Sequence, residues 1–211
     1  MEVIRSEEEQ IESIKKWWSE NGLSVIGGLV IAFIVIFGWR GWQGYRQSQA
    51  ETASNLYTNL VLDVRRQKFD KARETADQIL SQYKETGYAA YASLLLAKFE
   101  VNDGNPDSAI NHLQWVIDNS TQNELKHLAR LRMARLFLSE NKPDKALQLL
   151  DSAEKGKFTA SYEELKGDIL FQQGKTEAAR TAYQLALSES NGSTGNNIFL
   201  QMKIDNLGRE N

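Results

Sequence analysis

An uncharged run of nineteen residues, Asn21 to Trp39, stands near the start of an otherwise polar chain and constrains everything after it. As a helix rising about 1.5 Å per residue it measures roughly 28 Å, close to the ~30 Å hydrocarbon core of a bilayer. Glu20 closes the run on one side and Arg40 on the other. Trp17, Trp18, Trp39, Trp42 and Tyr45 flank it, and such rings prefer the membrane–water interface. A cleavable leader would carry a short basic start and small residues at its end. This one is preceded by Glu2, Glu7, Glu8, Glu9, Glu12 and Glu20 and followed by bulky Trp39, Arg40 and Trp42. A buried core helix of this length would keep a polar face. The run predicts a retained single-pass anchor in contact with membrane lipid. The boundaries read as a 1–20 acidic tail, a 21–42 transmembrane helix and a 43–211 domain.

The formal net charge of −3 belongs to the tail, because residues 1–20 hold six acids against three bases and the remainder balances. No basic surplus is available to neutralise a phosphate backbone, so nucleic acid is not an expected partner. The absence of Cys removes thiolate metal sites, disulfides and cysteine nucleophiles. His112 and His127 are the only histidines, and neither has carboxylates at metal-ligand spacing; both read as solvated surface residues. There is no Gly-rich phosphate loop or nucleophile elbow. We therefore expect no catalytic residues, no metal and no cofactor. Arg5, Lys15 and Lys16 before the span against Arg40 and Arg46 after it lean weakly towards a cytoplasmic N-terminus.

Beyond the span the chain repeats. QKFDKA (67–72), GNPDSA (104–109), NKPDKA (141–146) and GKTEAA (174–179) align, with Ala72, Ala109, Ala146 and Ala179 spaced 37, 37 and 33 apart. Four residues after each Ala stand Ala76, Leu113, Leu150 and Tyr183, and twelve before stand Leu60, Ala97, Ala134 and Gly167. Small residues on both sides of a tight turn let two antiparallel helices approach closely, and the later positions form one apolar stripe. Gln67, Gly104, Asn141 and Gly174 fall in the turn, where Gly and Asn end a helix. Pro106 and Pro143 follow where a new helix begins. Asp70, Asp107, Asp144 and Glu177 favour that helix's dipole.

These columns resemble the tetratricopeptide repeat, whose usual period is about 34 residues. LKGDILFQQGKTEAARTAYQLAL, the last unit, is nearest to it. The expected fold is all-α: a transmembrane helix, then a solenoid pairing 50–66 with 69–82, 88–103 with 106–119, 124–140 with 143–153 and 160–173 with 176–188. A closing helix is expected near 198–207, after a flexible Ser190–Asn197 loop, with a lesser break at Glu154–Thr159.

The order of parts resembles the YfgM-type ancillary subunits of the bacterial Sec translocon. The likeness covers nearly the whole chain and is densest in Gln10–Gly22, Gly38–Trp42 and QMKIDNL, Gln201–Leu207. It implies a bacterial inner-membrane protein with a cytoplasmic tail and a periplasmic repeat domain. The implied partners are SecYEG, the periplasmic chaperone PpiD, translocating polypeptides and, through the tail, the RcsB regulator. The implied role is to pass emerging polypeptides to periplasmic chaperones. Restraint of RcsB by the tail, or an envelope scaffold apart from the translocon, are the rival readings.

Three surfaces are candidates for binding. Ser6 and Glu9 form a capping box, and Ile11, Ile14 and Trp18 then share one helical face. That face suits a cytosolic docking helix or an interfacial lead-in to the span, and the second is the commoner use. Ser24, Gly28 and Ala32 form a small-residue ladder that serves as a membrane helix contact or reflects the frequency of Gly in spans. Projection from the Ala columns puts Tyr57, Val61, Tyr91, Leu94, Val101, Leu128, Leu131, Leu138 and Phe171 in a groove, with Lys98, Arg135 and Asp168 among them. At least half of these are expected in the core. Leu128, Leu131 and Leu138 are expected to be the most exposed.

Overall fold

The structure, a computed structural model, describes residues 7–190 and 194–207. The described residues are helical or in turns, with no strand among them. Met1–Glu51 and Thr52–Asn211 are two compact units. Helix α1, Glu7–Arg65, is one element where the sequence suggests a lead-in, a span and a first repeat helix. Ser6 of the expected capping box lies outside the described residues.

In the first unit the apolar run is exposed along its length, from Leu23 to Phe37, and α1 is long and apolar enough to cross a membrane. Ser24, Gly28 and Ala32 are exposed, and a Cβ at Gly28 would meet nothing within 4 Å. Trp39 and Trp42 pack 5.2 Å apart, and the Arg46 guanidinium sits 4.9 Å from the Trp42 ring. Ring and cation together form the amphipathic collar that an interface favours.

The second unit contains the C-terminal part of α1, then α2 (Phe69–Gln82), α3 (Gly87–Asn102), α4 (Pro106–Asn119), α5 (Asn123–Ser139), α6 (Pro143–Asp151), α7 (Thr159–Gln172), α8 (Thr176–Glu189) and α9 (Thr194–Asn206). Each boundary falls within a residue or two of the repeat reading, save that α9 starts earlier and shortens the expected loop. Residues 191–193 of that loop lie outside the described residues. The break before α7 holds a single 3-10 turn, Gly156–Phe158.

One turn geometry recurs four times. Gln67, Gly104, Asn141 and Gly174 have φ of 60°, 79°, 56° and 72°, the left-handed region that stops a helix. The next amide reaches back to the carbonyl five residues earlier: Lys68 to Asp63 at 2.9 Å, Asn105 to Glu100 at 2.8 Å, Lys142 to Phe137 at 2.8 Å and Lys175 to Leu170 at 2.9 Å. These are Schellman caps, which satisfy carbonyls the helix end leaves unpaired. Pro106 and Pro143 then begin α4 and α6, and Asp70, Asp107, Asp144 and Glu177 lie in the first turns of the second helices.

Each hairpin buries a large residue of one column with a small residue of the other. Leu60 shares a buried cluster with Ala76, Ala97 with Leu113 and Ala134 with Leu150. In the last pair Gly167 faces Tyr183 so closely that a Cβ would stand 2.4 Å from the ring. Burying each leucine contributes about 1.5–3 kcal/mol. Ala72, Ala109, Ala146 and Ala179 are fully buried beside these contacts. Leu200 and Ile204 of α9, with Leu207 just after it, extend the last cluster over α8, and Lys203 ties α9 to Glu164 at 2.8 Å and Asp168 at 2.7 Å.

His127 is not the surface residue expected. It is 3% exposed, stacked 4.2 Å from Phe158 of the 3-10 turn, with Nδ1 2.9 Å from the Tyr162 hydroxyl. Phe158 and Tyr162 arrive from the next pair and roof a ring that its own helix leaves open. Burial, with Arg130 nearby, lowers its pKa; burial likewise lowers that of His112 against the pull of Glu100 and Asp77.

Two outcomes follow for stability. Gln67→Gly should raise it by about 0.5–1 kcal/mol and Gly174→Ala should lower it by about 1 kcal/mol, read as shifts in the denaturation midpoint. As pH falls through about 6.5, the unfolded chain takes up histidine protons that the folded chain refuses, so stability is lost on acidification and level above that range. The melting temperature should fall between about pH 7.5 and about pH 5.5, and His127→Gln should reduce that fall. An unchanged pH slope in the variant would remove His127 as its source.

Candidate docking groove

The first helices of successive pairs, α1, α3 and α5, bring side chains to one groove in the second unit. Its upper part is a cavity of about 230 Å³ lined by Tyr57, Tyr91, Leu94, Leu95, Lys98, Leu125, Leu128 and Arg132. A second cavity of about 410 Å³ adjoins it through Lys98 and Arg132, and adds Val101, Asn102, Arg135, Leu136 and Ser139. The two share residues because Lys98 on α3 and Arg132 on α5 stand on the boundary between them. Tyr57, Tyr88 and Tyr91 form a ring cluster at one end, with centroids 5.9 to 6.4 Å apart. Burial, with Tyr91 beside it, raises the Tyr57 pKa, which keeps that hydroxyl neutral.

The floor is apolar and the rim is cationic. Leu94 is almost fully buried, in one cluster with Ala97, Leu113 and Leu136, while Tyr91 and Val101 stay exposed at 39% and 45%. Lys98, Arg132 and Arg135 are exposed, and among the described residues no Asp or Glu lines either cavity. None of the three makes an ion pair or a side-chain hydrogen bond among the described residues.

The sequence projection meets this groove in part. Tyr57, Tyr91, Leu94, Lys98, Val101, Leu128 and Arg135 line it. Leu131, expected to be exposed, is 7% exposed and belongs to the core of the third pair with Leu150, Tyr162 and Leu165. It stands on the side of α5 turned to the next hairpin, which both neighbours cover. Leu138 is half-buried against the same cluster. Phe171 is 38% exposed on α7 but lines neither cavity. Asp168 is engaged by Lys203 and accepts a hydrogen bond from the Tyr183 hydroxyl at 2.8 Å. That contact and burial push the Tyr183 pKa far upward. Val61 is half-buried and outside both linings.

Arg132, Leu125 and Leu136 were missed. Arg132 follows Leu128 by four residues, so the same helical projection that selects Leu128 selects it. Among the described residues, none of α9 lines either cavity.

A second recess, about 680 Å³, is lined by Arg73, Asp77, Glu100, Asp107 and His112. Arg73 reaches Glu100 at 2.9 Å and Asp103 at 2.8 Å, and Asn105 donates to Glu100 at 3.2 Å. Among the described residues no group of three or more His, Asp or Glu is placed to hold a metal ion. The groove offers shape, apolar surface and positive charge; the recess holds the Arg73–Glu100–Asp103 network that ties α2 to α3.

Residues 15–209 match the family described as "Tetratricopeptide repeat-like domain". The chain is 30% identical over 207 residues to the ancillary SecYEG translocon subunit of Escherichia coli (strain K12), covering 98% of this chain and 99% of that protein. It is 28% identical over 201 residues to the subunit of that name from Haemophilus influenzae, with 95% and 97% covered. It is 28% identical over 210 residues to the one from Neisseria gonorrhoeae, again with 95% and 97% covered. With a repeat unit of helical hairpins, one apolar N-terminal helix and full-length similarity to these proteins, the chain belongs to the family of ancillary SecYEG translocon subunits.

Proposed function

We propose that this protein is a non-enzymatic, membrane-anchored adaptor at the SecYEG translocon, with its N-terminus in the cytoplasm and its repeat unit in the periplasm. It receives translocating polypeptides and passes them to the periplasmic chaperone network through PpiD. The reading rests on one observation above all: a single chain joins an exposed apolar helix of membrane-spanning length to a repeat unit with an open groove. An anchor fixes the receiver in the plane where client emerges, which raises its effective concentration without any tight contact. The groove is built on the first helices of successive pairs, the surface by which stacked helical repeats take an extended or helical segment.

The experiment combines capture with local crosslinking. A C-terminally tagged chain solubilised from membranes should bring SecYEG and PpiD into the eluate, and an eluate lacking both would remove the translocon assignment. A photoreactive residue at Tyr91 or Val101, both exposed in the groove, should give polypeptide adducts in intact cells, whereas one at Gln78 on α2 should not.

Orientation is open to a clean labelling test because the chain has no native Cys. A thiol placed at Ser188 should react with a membrane-impermeant maleimide before the inner membrane is broken. One placed at Glu12 should react only afterwards, and the reverse order would invert the topology.

A further inference from the structure

Charge in the repeat unit is unevenly spent. Several carboxylates elsewhere are engaged: Glu100 and Asp103 hold Arg73, Glu163 holds Lys155 at 2.6 Å, and Glu124 holds Lys157 at 2.7 Å. The three cations of the groove have no such partner among the described residues, and no acid shares its lining. Lys98 on α3 and Arg132 on α5 line both cavities, and Arg132 and Arg135 follow one another at i and i+3 along α5. Between them lies the apolar floor of Leu94 and Leu128. Three like charges grouped on an exposed surface repel one another, and a bound anion relieves that cost. A guanidinium matches a carboxylate with two parallel hydrogen bonds, which makes the arginines selective for that group.

We propose that the groove selects polypeptide segments in which acidic residues alternate with apolar ones, the carboxylates pairing with Lys98, Arg132 and Arg135 while leucine-like side chains fill the floor. The inference rests on the docking reading above and adds the chemistry of the occupant. A wholly apolar segment would leave the three cations partly desolvated and unpaired, and a basic one would be repelled. Selection of this kind is salt-sensitive, because the rim is exposed to solvent.

The test uses the full chain in non-ionic detergent and two fluorescent peptides, one repeating Leu-Glu-Glu-Leu and the other Leu-Lys-Lys-Leu, with empty micelles as the blank. Anisotropy should show the glutamate peptide binding about tenfold more tightly, with the gap narrowing as salt rises. K98Q/R132Q/R135Q should abolish the preference while helical content, read by circular dichroism, is kept; R135E alone, at an exposed site, should reduce it. Equal binding of the two peptides would overturn the charge selection and leave the groove as an apolar docking site. Binding of neither would overturn the docking reading as well. A glutamate preference that survives the triple and single variants would place the anion site elsewhere and refute the proposal.

Discussion

Everything in the repeat unit depends on how closely two helices approach across each hairpin. The crossing point is filled by one large and one small residue, and the two trade places along the chain. Leu60 with Ala76 has the bulk on the first helix; Ala97 with Leu113 and Ala134 with Leu150 have it on the second. Gly167 with Tyr183 takes the same exchange to its limit. The combined volume, not either residue, is what the packing holds near constant. Enlarging the small member therefore overpacks the crossing, and shrinking the large member opens a cavity.

That rule explains which parts of the fold were legible in the sequence. Turn residues and second helices stood out, because α2, α4, α6 and α8 each present one narrow buried stripe, shared between their own first helix and the neighbouring pair, and leave the rest to solvent. First helices did not. α3, α5 and α7 sit between their own partner and the neighbouring pair, so apolar residues occur nearly all round and periodicity carries no direction. Leu131 shows the consequence: on α5 alone it looks as suitable for the groove as Leu128, and only the position of Tyr162 and Leu165 tells them apart. His127 fails for a related reason. Its cover is Phe158, held in a 3-10 turn in a stretch that reads as a mere break.

The groove was half legible for the same reason. Its apolar members follow from projecting the Ala columns, and Arg135 was found among them. Its electrostatic character was not, because a chain that balances its charges beyond the tail gives no sign of where they separate. Separation is a tertiary property. Arg73 finds Glu100 and Asp103 27 and 30 residues away, and Lys203 finds Glu164 and Asp168 39 and 35 residues away. Lys98, Arg132 and Arg135, where the first helices line up, are among the cations that such pairing leaves out.

The size of the groove limits the kind of binding it supports. Enclosed ligand pockets of about 300–1,000 Å³ bury most of a small molecule. Here cavities of about 230 and 410 Å³ open side by side, with room for single side chains of a longer segment. Exposed ion pairs at the rim contribute about 0.2–1 kcal/mol each. Contacts of that order give weak, sequence-tolerant recognition with rapid release. For a soluble receiver that would be a defect. In the proposed adaptor, held beside its source by an anchor, local concentrations in the millimolar range would supply what affinity does not. Under that proposal rapid release is the property that lets a client move on, and the anchor and the shallowness of the groove belong to one physical solution.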